Sequence, residues 1–180
     1  MRIRKLLFVS LSFAFLFSCD GKQDKTGDEA SVAVEQQAGI HRMNEYNLTD
    51  SVPVGSHVYV YTIHREADDS LKMVIDENGD KFVDNYYELS VTKDGQEFFS
   101  KRFTKAAFAA QLDDSFRQNG ILDGFRFISD KEGKLLFGVC VSFPESDMSS
   151  PFVLTIGPDG SFIIEPDTTP DIEETDSASV

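Results

Sequence analysis

The stretch KLLFGVCVSF, residues 134–143, alternates large apolar and small residues more regularly than any other part of the chain. Successive side chains of a β-strand point to opposite faces, so one face here carries a continuous apolar row. That row comprises Leu135, Phe137, Val139, Val141 and Phe143. Cys140 lies on the other face, and we interpret it as a small buried thiol rather than a nucleophile. The pattern predicts an antiparallel strand with one face on a core.

Working outward from this strand, seven further runs have the period or the composition of strands. They are residues 58–64, 71–75, 84–92, 97–103, 121–128, 152–156 and 162–165. Short turns rich in Gly, Asp and Asn join most neighbours, and Asn78-Gly79 favours a type I′ hairpin. Strands that are joined by short turns pair antiparallel.

Residues 104–118, between the fourth and fifth of these strands, show a helical period instead. An apolar stripe recurs every four residues and consists of Phe108, Leu112 and Phe116. Thr104 is the expected N-cap. Gly120 is the expected left-handed stop after the helix.

The sequence therefore predicts an α+β fold that is mostly β, with about eight antiparallel strands and one helix between strands four and five. The strands form either one curled sheet or a two-sheet sandwich. We place this β-rich domain at residues 54–166. Acidic, polar composition predicts a flexible tether over residues 19–53 and a disordered tail over residues 167–180.

Residues 1–18 have the organisation of an export signal. A basic start is followed by an apolar run, residues 6–17, that is too short to span a bilayer. A buried core helix is the alternative interpretation. The end of the run, Leu16-Phe17-Ser18-Cys19, resembles the lipobox of bacterial lipoproteins. The resemblance implies cleavage before Cys19 and lipidation of Cys19, whereas a disulfide with Cys140 is the alternative in an oxidising compartment.

The chain is strongly acidic, with 31 Asp and Glu against 17 Lys and Arg, and its formal net charge is −14. Binding to nucleic acid requires clustered cations against phosphate. The charge therefore excludes nucleic acid as an expected partner.

No motif of known chemistry stands out in the sequence. Asp76, Asn78 and Asp80 have the spacing of a calcium loop, but the later glycine and acid that such a loop needs are missing. His57 and His64 are seven residues apart on one predicted strand, so they face opposite ways. There is neither a nucleophile elbow nor a phosphate-binding glycine loop. We predict no catalytic residue, no metal and no cofactor.

Two stretches are candidates for binding. Tyr86 points away from Tyr87 on its predicted strand, and an exposed tyrosine beside Asp84 and Asn85 would suit a recognition surface. The loop at residues 144–150, which contains Asp147, is the other candidate, because binding residues concentrate on loops held by a rigid scaffold.

Three short motifs resemble a β-rich domain of unknown function in lipoproteins of the Bacteroidetes type. They are Asp84-Asn85-Tyr86, Phe103-Thr104-Lys105-x-x-Phe108 and Pro144-x-x-Asp147. The resemblance implies an anchor in the outer membrane, on its periplasmic or its surface face, and it implies no activity.

We expect a lipid-anchored cell-envelope protein with a non-catalytic binding or structural domain. Its partners would be the membrane, through the N-terminal lipid, and an envelope protein or a glycan. The alternative is an envelope hydrolase that acts on a polysaccharide or a peptide through paired carboxylates. A carrier of a small ligand is a third possibility and needs a roomy apolar cavity.

Overall fold

The computed structural model of the protein describes residues 39–168. The predicted leader, Cys19, the tether up to residue 38 and the tail from residue 169 lie outside the described residues. No helix of the described part is long and apolar enough to cross a membrane.

Two four-stranded antiparallel sheets and one small sheet make up the described chain. Sheet I has the order β2-β3-β6-β7, with strands Tyr46–Val54, His57–Ala67, Asn85–Lys93 and Gln96–Thr104. Sheet II has the order β11-β10-β9-β8, with β8 to β11 at Ile121–Lys131, Lys134–Ser142, Ser149–Ile156 and Phe162–Pro166. The small sheet has the order β1-β5-β4, with β1, β4 and β5 at Ile40–His41, Val74–Ile75 and Lys81–Phe82.

The two large sheets face each other across one aromatic core. Tyr61 of β3 contacts Phe137 of β9, with ring centroids 5.6 Å apart. Phe125 of β8 lies 5.4 Å from Tyr87 and 5.7 Å from Phe103, again between ring centroids. Burial of each such side chain contributes about 1.5–3 kcal/mol, so this layer is the main source of stability.

The predicted fold class is wrong in three respects. The described part has eleven strands in three sheets rather than about eight strands. One strand pair, β1 with β5, is parallel. The helical segment follows the seventh strand, and it consists of a 3₁₀ helix, Lys105–Phe108, and a six-residue helix α1, Asp114–Asn119.

Capping explains why one long helix does not form. Thr104 makes no side-chain cap bond, whereas the Asp113 side chain accepts a hydrogen bond from Phe116 N and starts α1 there. Gly120 ends α1 with φ −88°, so it is not the predicted left-handed stop. A Cβ on Gly120 would lie 2.7 Å from Val141 Cγ1, so the glycine permits close packing on β9.

Strand β1 and all of β2 except its last residue lie within residues 39–53, which the sequence assigns to the tether. Only Leu48, Val52 and Val54 of β2 turn toward the core, and its remaining side chains are exposed. A strand with so few apolar residues resembles a linker in composition, so the sequence pattern did not predict it.

Of two turns that the sequence predicts between strands, one has the backbone of a type I′ hairpin and the other does not. Asp94 and Gly95 both have positive φ, 51° and 81°, as a type I′ hairpin requires. At Asn78-Gly79 only the glycine has positive φ, 87°, so the predicted type I′ turn is wrong there.

Cys140 is half-buried on the outer face of sheet II, not in the core.

Candidate functional site

A cavity of about 400 Å³ opens between the small sheet, the start of β8 and the loop after β9. Its apolar lining includes Met43, Phe82, Ile121 and Phe143. Its polar lining consists of His41, Arg42, Asp123, Glu145 and Ser146. Ligand sites in proteins are typically about 300–1,000 Å³ and combine an apolar lining with a few convergent polar groups. The cavity is therefore the candidate site.

The small sheet holds His41 at the wall of the cavity. The imidazole stacks on Phe82 with ring centroids 4.8 Å apart, and its Nε2 lies 3.4 Å from Asp80 Oδ1. The same Asp80 oxygen accepts a hydrogen bond from Gly39 N, and this bond lowers the pKa of Asp80. These contacts attach residues 39–41 to the turn at residues 76–80.

Arg42 brings a cation to the cavity. Its Nη2 lies 2.5 Å from Asp69 Oδ1, and both side chains are exposed. Solvent screens such a pair, so the ion pair itself contributes little to stability. A guanidinium has five N–H donors, and those not used by Asp69 can bind a ligand.

Asp123 contributes a half-buried carboxylate. Burial raises the pKa of this carboxyl, opposed by a hydrogen bond that Ser142 Oγ donates to Oδ1 at 3.0 Å. The backbone carbonyl of Asp123 accepts a hydrogen bond from Tyr87 Oη at 2.7 Å, which attaches this part of β8 to sheet I. A carboxyl with a perturbed pKa in a cavity is a functional candidate on physical grounds.

The loop that the sequence singled out forms the last wall. Phe143 N donates to Met148 O at 2.9 Å, and Ser146 Oγ accepts from Met148 N at 3.0 Å, so the loop is closed on itself. Glu145 has φ 54°, a left-handed conformation that side chains other than glycine rarely adopt. This conformation is a strained one, and such strain is concentrated at functional positions.

Asp84 lies behind the cavity, in a junction between the two large sheets. The residue is only 3% exposed. Oδ1 accepts from Asn85 N and from Leu122 N, both at 2.8 Å. Oδ2 lies 3.5 Å from Lys105 Nζ, and that ammonium also donates to Gly120 O. This buried carboxylate ties β6 to the start of β8, so its contacts are structural.

Asn85 belongs to the same junction and is fully buried. Its Nδ2 donates to Leu122 O at 2.8 Å and lies 3.2 Å from Met43 Sδ. Its Oδ1 has no hydrogen-bond partner among the described residues. Through Met43, which lines the cavity, Asn85 supports the site without lining it.

Tyr86 is not the exposed contact residue that the sequence suggested, because it is 7% exposed. The Arg102 guanidinium covers the ring, with Cζ 3.5 Å from the centroid. Tyr86 Oη donates to Glu66 Oε2, and this bond is the largest cause of the raised pKa of the phenol. Long polar side chains on neighbouring strands therefore close over the ring.

Asp147 is exposed in the loop, but it does not line the cavity, whereas its neighbours Glu145 and Ser146 do. The structure thus brings Asn85 and the loop to the same region and leaves Tyr86 elsewhere. Cys19 is outside the described residues.

The described residues contain no group of three or more potential metal ligands. The Asp76 carboxylate accepts hydrogen bonds from Asn78 N at 2.9 Å and Asp80 N at 2.8 Å, so it stabilises the turn. The two histidines of β3 contact different residues rather than a common site: His57 pairs with Asp94, and His64 pairs with Asn47.

Sequence reasoning missed three polar residues of the cavity, namely His41, Arg42 and Asp123, whereas Glu145 and Ser146 lie in the predicted loop. His41 and Arg42 lie in the stretch that was assigned to the tether. Asp123 interrupts the apolar run of β8, between Leu122 and Gly124. A carboxylate within an otherwise apolar start of a strand is the signal that could have identified Asp123.

The comparisons place the chain in a family without specifying a reaction. A family model described as a domain of unknown function, DUF4738, matches residues 25–164. The match starts well before residue 54, in line with the presence of β1 and β2 in the fold. No curated protein matches the chain.

Proposed function

The chain belongs to the DUF4738 family of domains of unknown function, and we propose that it is a lipid-anchored cell-envelope protein that binds an envelope protein or a glycan without catalysis. The proposed anchor is Cys19, at the end of a leader with the features of a bacterial lipoprotein signal. The outer membrane is the proposed location, as in lipoproteins of the Bacteroidetes type.

The cavity beside the small sheet is the observation that supports binding. Its size is that of a ligand site, and both a cation, Arg42, and a carboxylate, Asp123, line it beside apolar side chains. A glycan or an extended peptide offers hydroxyl or amide groups to such donors and acceptors, together with apolar surface for the remaining wall.

The contacts of the lining residues favour binding over catalysis. Ser146 is the hydroxyl residue of the described lining, and its recorded contact is with Met148 N rather than with a base. Nucleophilic catalysis needs a base within hydrogen-bond reach of the nucleophile. His41 is instead held against Phe82 and Asp80.

Site-specific crosslinking tests the binding proposal. A photoreactive amino acid replaces Ser146 in the native host, and the matched control carries it at Lys131, an exposed residue of the β8–β9 hairpin. We expect an adduct from position 146 that Arg42→Glu reduces about tenfold, since a charge-assisted contact contributes about 1.5–3 kcal/mol. Equal adducts from both positions, or no effect of Arg42→Glu, would contradict the cavity as the site.

The anchor is tested separately with labelled palmitate. The wild-type protein should take up label and fractionate with membranes, and Cys19→Ala should do neither. Label on the Cys19→Ala protein would show that the lipobox interpretation is wrong.

A hydrolase is the second candidate, because Asp123 and Glu145 line the same cavity. The raised pKa of Asp123 suits a general acid, and Glu145 would be the base. The purified protein is incubated with envelope polysaccharide and peptide fractions, and products are identified by mass spectrometry. Products that vanish in both Asp123→Asn and Glu145→Gln favour the hydrolase, and the absence of products favours binding alone.

A further inference from the structure

A second cavity, of about 340 Å³, opens beside the 3₁₀ helix and is separate in its lining from the first. Leu71, Ala106 and Ala109 contribute apolar surface to it. Three cations, Lys72, Lys105 and Arg117, also line it, against one acid, Asp84. This grouping of cations is unexpected in a chain with a net charge of −14.

The charge of Asp84 is already compensated inside the protein. Two backbone N–H groups donate to its Oδ1, and the Lys105 ammonium lies 3.5 Å from its Oδ2. The side chains of Asp84 and Lys105 are only 4% and 16% exposed, so this ion pair is an internal contact of the fold. Lys72 and Arg117 are therefore the surplus positive charges of the cavity.

These two cations have donors to spare. Lys72 is exposed and has no recorded hydrogen bond or ion pair with any residue from 39 to 168. Arg117 uses Nη2 for Asp114 Oδ1 at 2.6 Å and Nη1 for Ala109 O at 3.2 Å. Asp114 is 86% exposed in its side chain, so solvent weakens its hold on the guanidinium.

We propose that this cavity binds an organic anion, a carboxylate or phosphate that carries an apolar chain. The anionic group pairs with Lys72 and Arg117. The apolar chain of the ligand lies against Leu71, Ala106 and Ala109. This site is independent of the one proposed above, because a different set of residues lines it.

Such an anion can be a soluble metabolite or the headgroup of an anionic lipid. A soluble ligand enters the cavity in free solution. A lipid headgroup brings the site to a membrane surface. The chemistry of recognition is the same in both cases, so the test includes an arm for each source.

Calorimetric titration of the purified protein with octanoate tests the soluble arm, and octanol is the uncharged counterpart with the same chain length. We expect saturable binding of octanoate that is at least about tenfold tighter than binding of octanol, about 1.4 kcal/mol. Lys72→Gln and Arg117→Gln should each weaken octanoate about three- to tenfold. Lys131→Gln, a matched change at an exposed lysine on a distant hairpin, should not.

Cosedimentation with vesicles tests the lipid arm, with phosphatidylglycerol compared with phosphatidylcholine. A lipid headgroup is identified if the protein binds phosphatidylglycerol vesicles but not phosphatidylcholine vesicles and binds octanoate only weakly. Lys72→Gln and Arg117→Gln should then each reduce the binding to phosphatidylglycerol vesicles. Equal binding of octanoate and octanol, an equal effect of Lys131→Gln, or no binding in either arm would overturn the proposal.

Discussion

Asp84 and Asp123 are two carboxylates that lie close to each other in the fold but differ in burial and in hydrogen bonding. Leu122 N donates to Asp84, and Asp123 is the next residue along β8. Asp84 is buried, with two backbone N–H donors and an ammonium. Asp123 is half-buried beside a cavity, with one hydroxyl donor to its carboxylate, and burial raises its pKa.

The difference separates a carboxylate whose partners all lie within the fold from one that lines a cavity. Buried charge stabilises a fold only when partners satisfy it, as they do at Asp84. A carboxyl with a raised pKa contributes unfavourably when it is ionised, so its presence at Asp123 is not explained by stability. The raised pKa of a carboxyl beside a cavity is what makes Asp123 a candidate for binding.

Loss of Asp84 should have the largest effect on stability. Asp84→Ala leaves the Lys105 ammonium and two backbone N–H groups without their partner in the interior. We expect the free energy of unfolding to fall by about 3–5 kcal/mol, measured by urea denaturation at unchanged m. Asp147→Ala, at an exposed loop aspartate, should change it by less than about 0.5 kcal/mol. Similar effects at both positions would remove the structural role of Asp84.

Tyr87 should show a smaller effect, because it contributes one neutral hydrogen bond across the sheets. Tyr87→Phe removes the 2.7 Å bond to Asp123 O, together with the weaker 3.4 Å bond that Arg65 Nη1 donates to the hydroxyl, and should cost about 0.5–1.5 kcal/mol. Tyr59→Phe is the matched control, since Tyr59 is equally buried and its hydroxyl has no recorded partner in the described chain. A loss at Tyr59 as large as that at Tyr87 would mean that the bond to β8 is unimportant.

Glu145 should show the smallest effect, in the opposite direction. Glu145→Gly relieves the left-handed strain of about 1–2 kcal/mol and adds backbone entropy to the unfolded chain, so a net gain of about 0.5 kcal/mol is expected. The same variant should give less crosslinked adduct from position 146. A gain in stability with unchanged capture would show that the strain has no role in binding.

The local pattern predicted strands and several turns well, but it did not predict the architecture. The alternation at residues 134–143 became β9, and Asp94-Gly95 formed the hairpin that its residue types favour. Strand β2 escaped notice because its few apolar side chains stabilise it only through contact with the core. The helix divided because Asp113 competes with Thr104 as a cap, and a periodicity count does not weigh the two.

The site was predictable only in part, for a related reason. Asp84 and Asn85 were predicted as contacts beside an exposed Tyr86, but burial against β8 makes them structural rather than exposed contacts. Tyr86 faces outward as predicted from its position opposite Tyr87, yet Arg102 covers it. Which face a side chain occupies follows from local period, whereas what lies over that face depends on distant strands.

The pH dependence of the stability of Asp123→Asn, relative to wild type, tests the contrast between the two carboxylates most directly. Below the ordinary pKa of 3.8, both states of the wild type hold the proton, so the stability difference between the two proteins should no longer change with pH. As pH rises, the unfolded wild type loses its proton before the folded one, and wild-type stability falls.

We expect the stability of Asp123→Asn relative to wild type to increase as the pH rises from the ordinary aspartate pKa to neutral pH. A variant whose stability relative to wild type instead decreases over that pH range would contradict this expectation. Asp123 would then be a second structural carboxylate like Asp84.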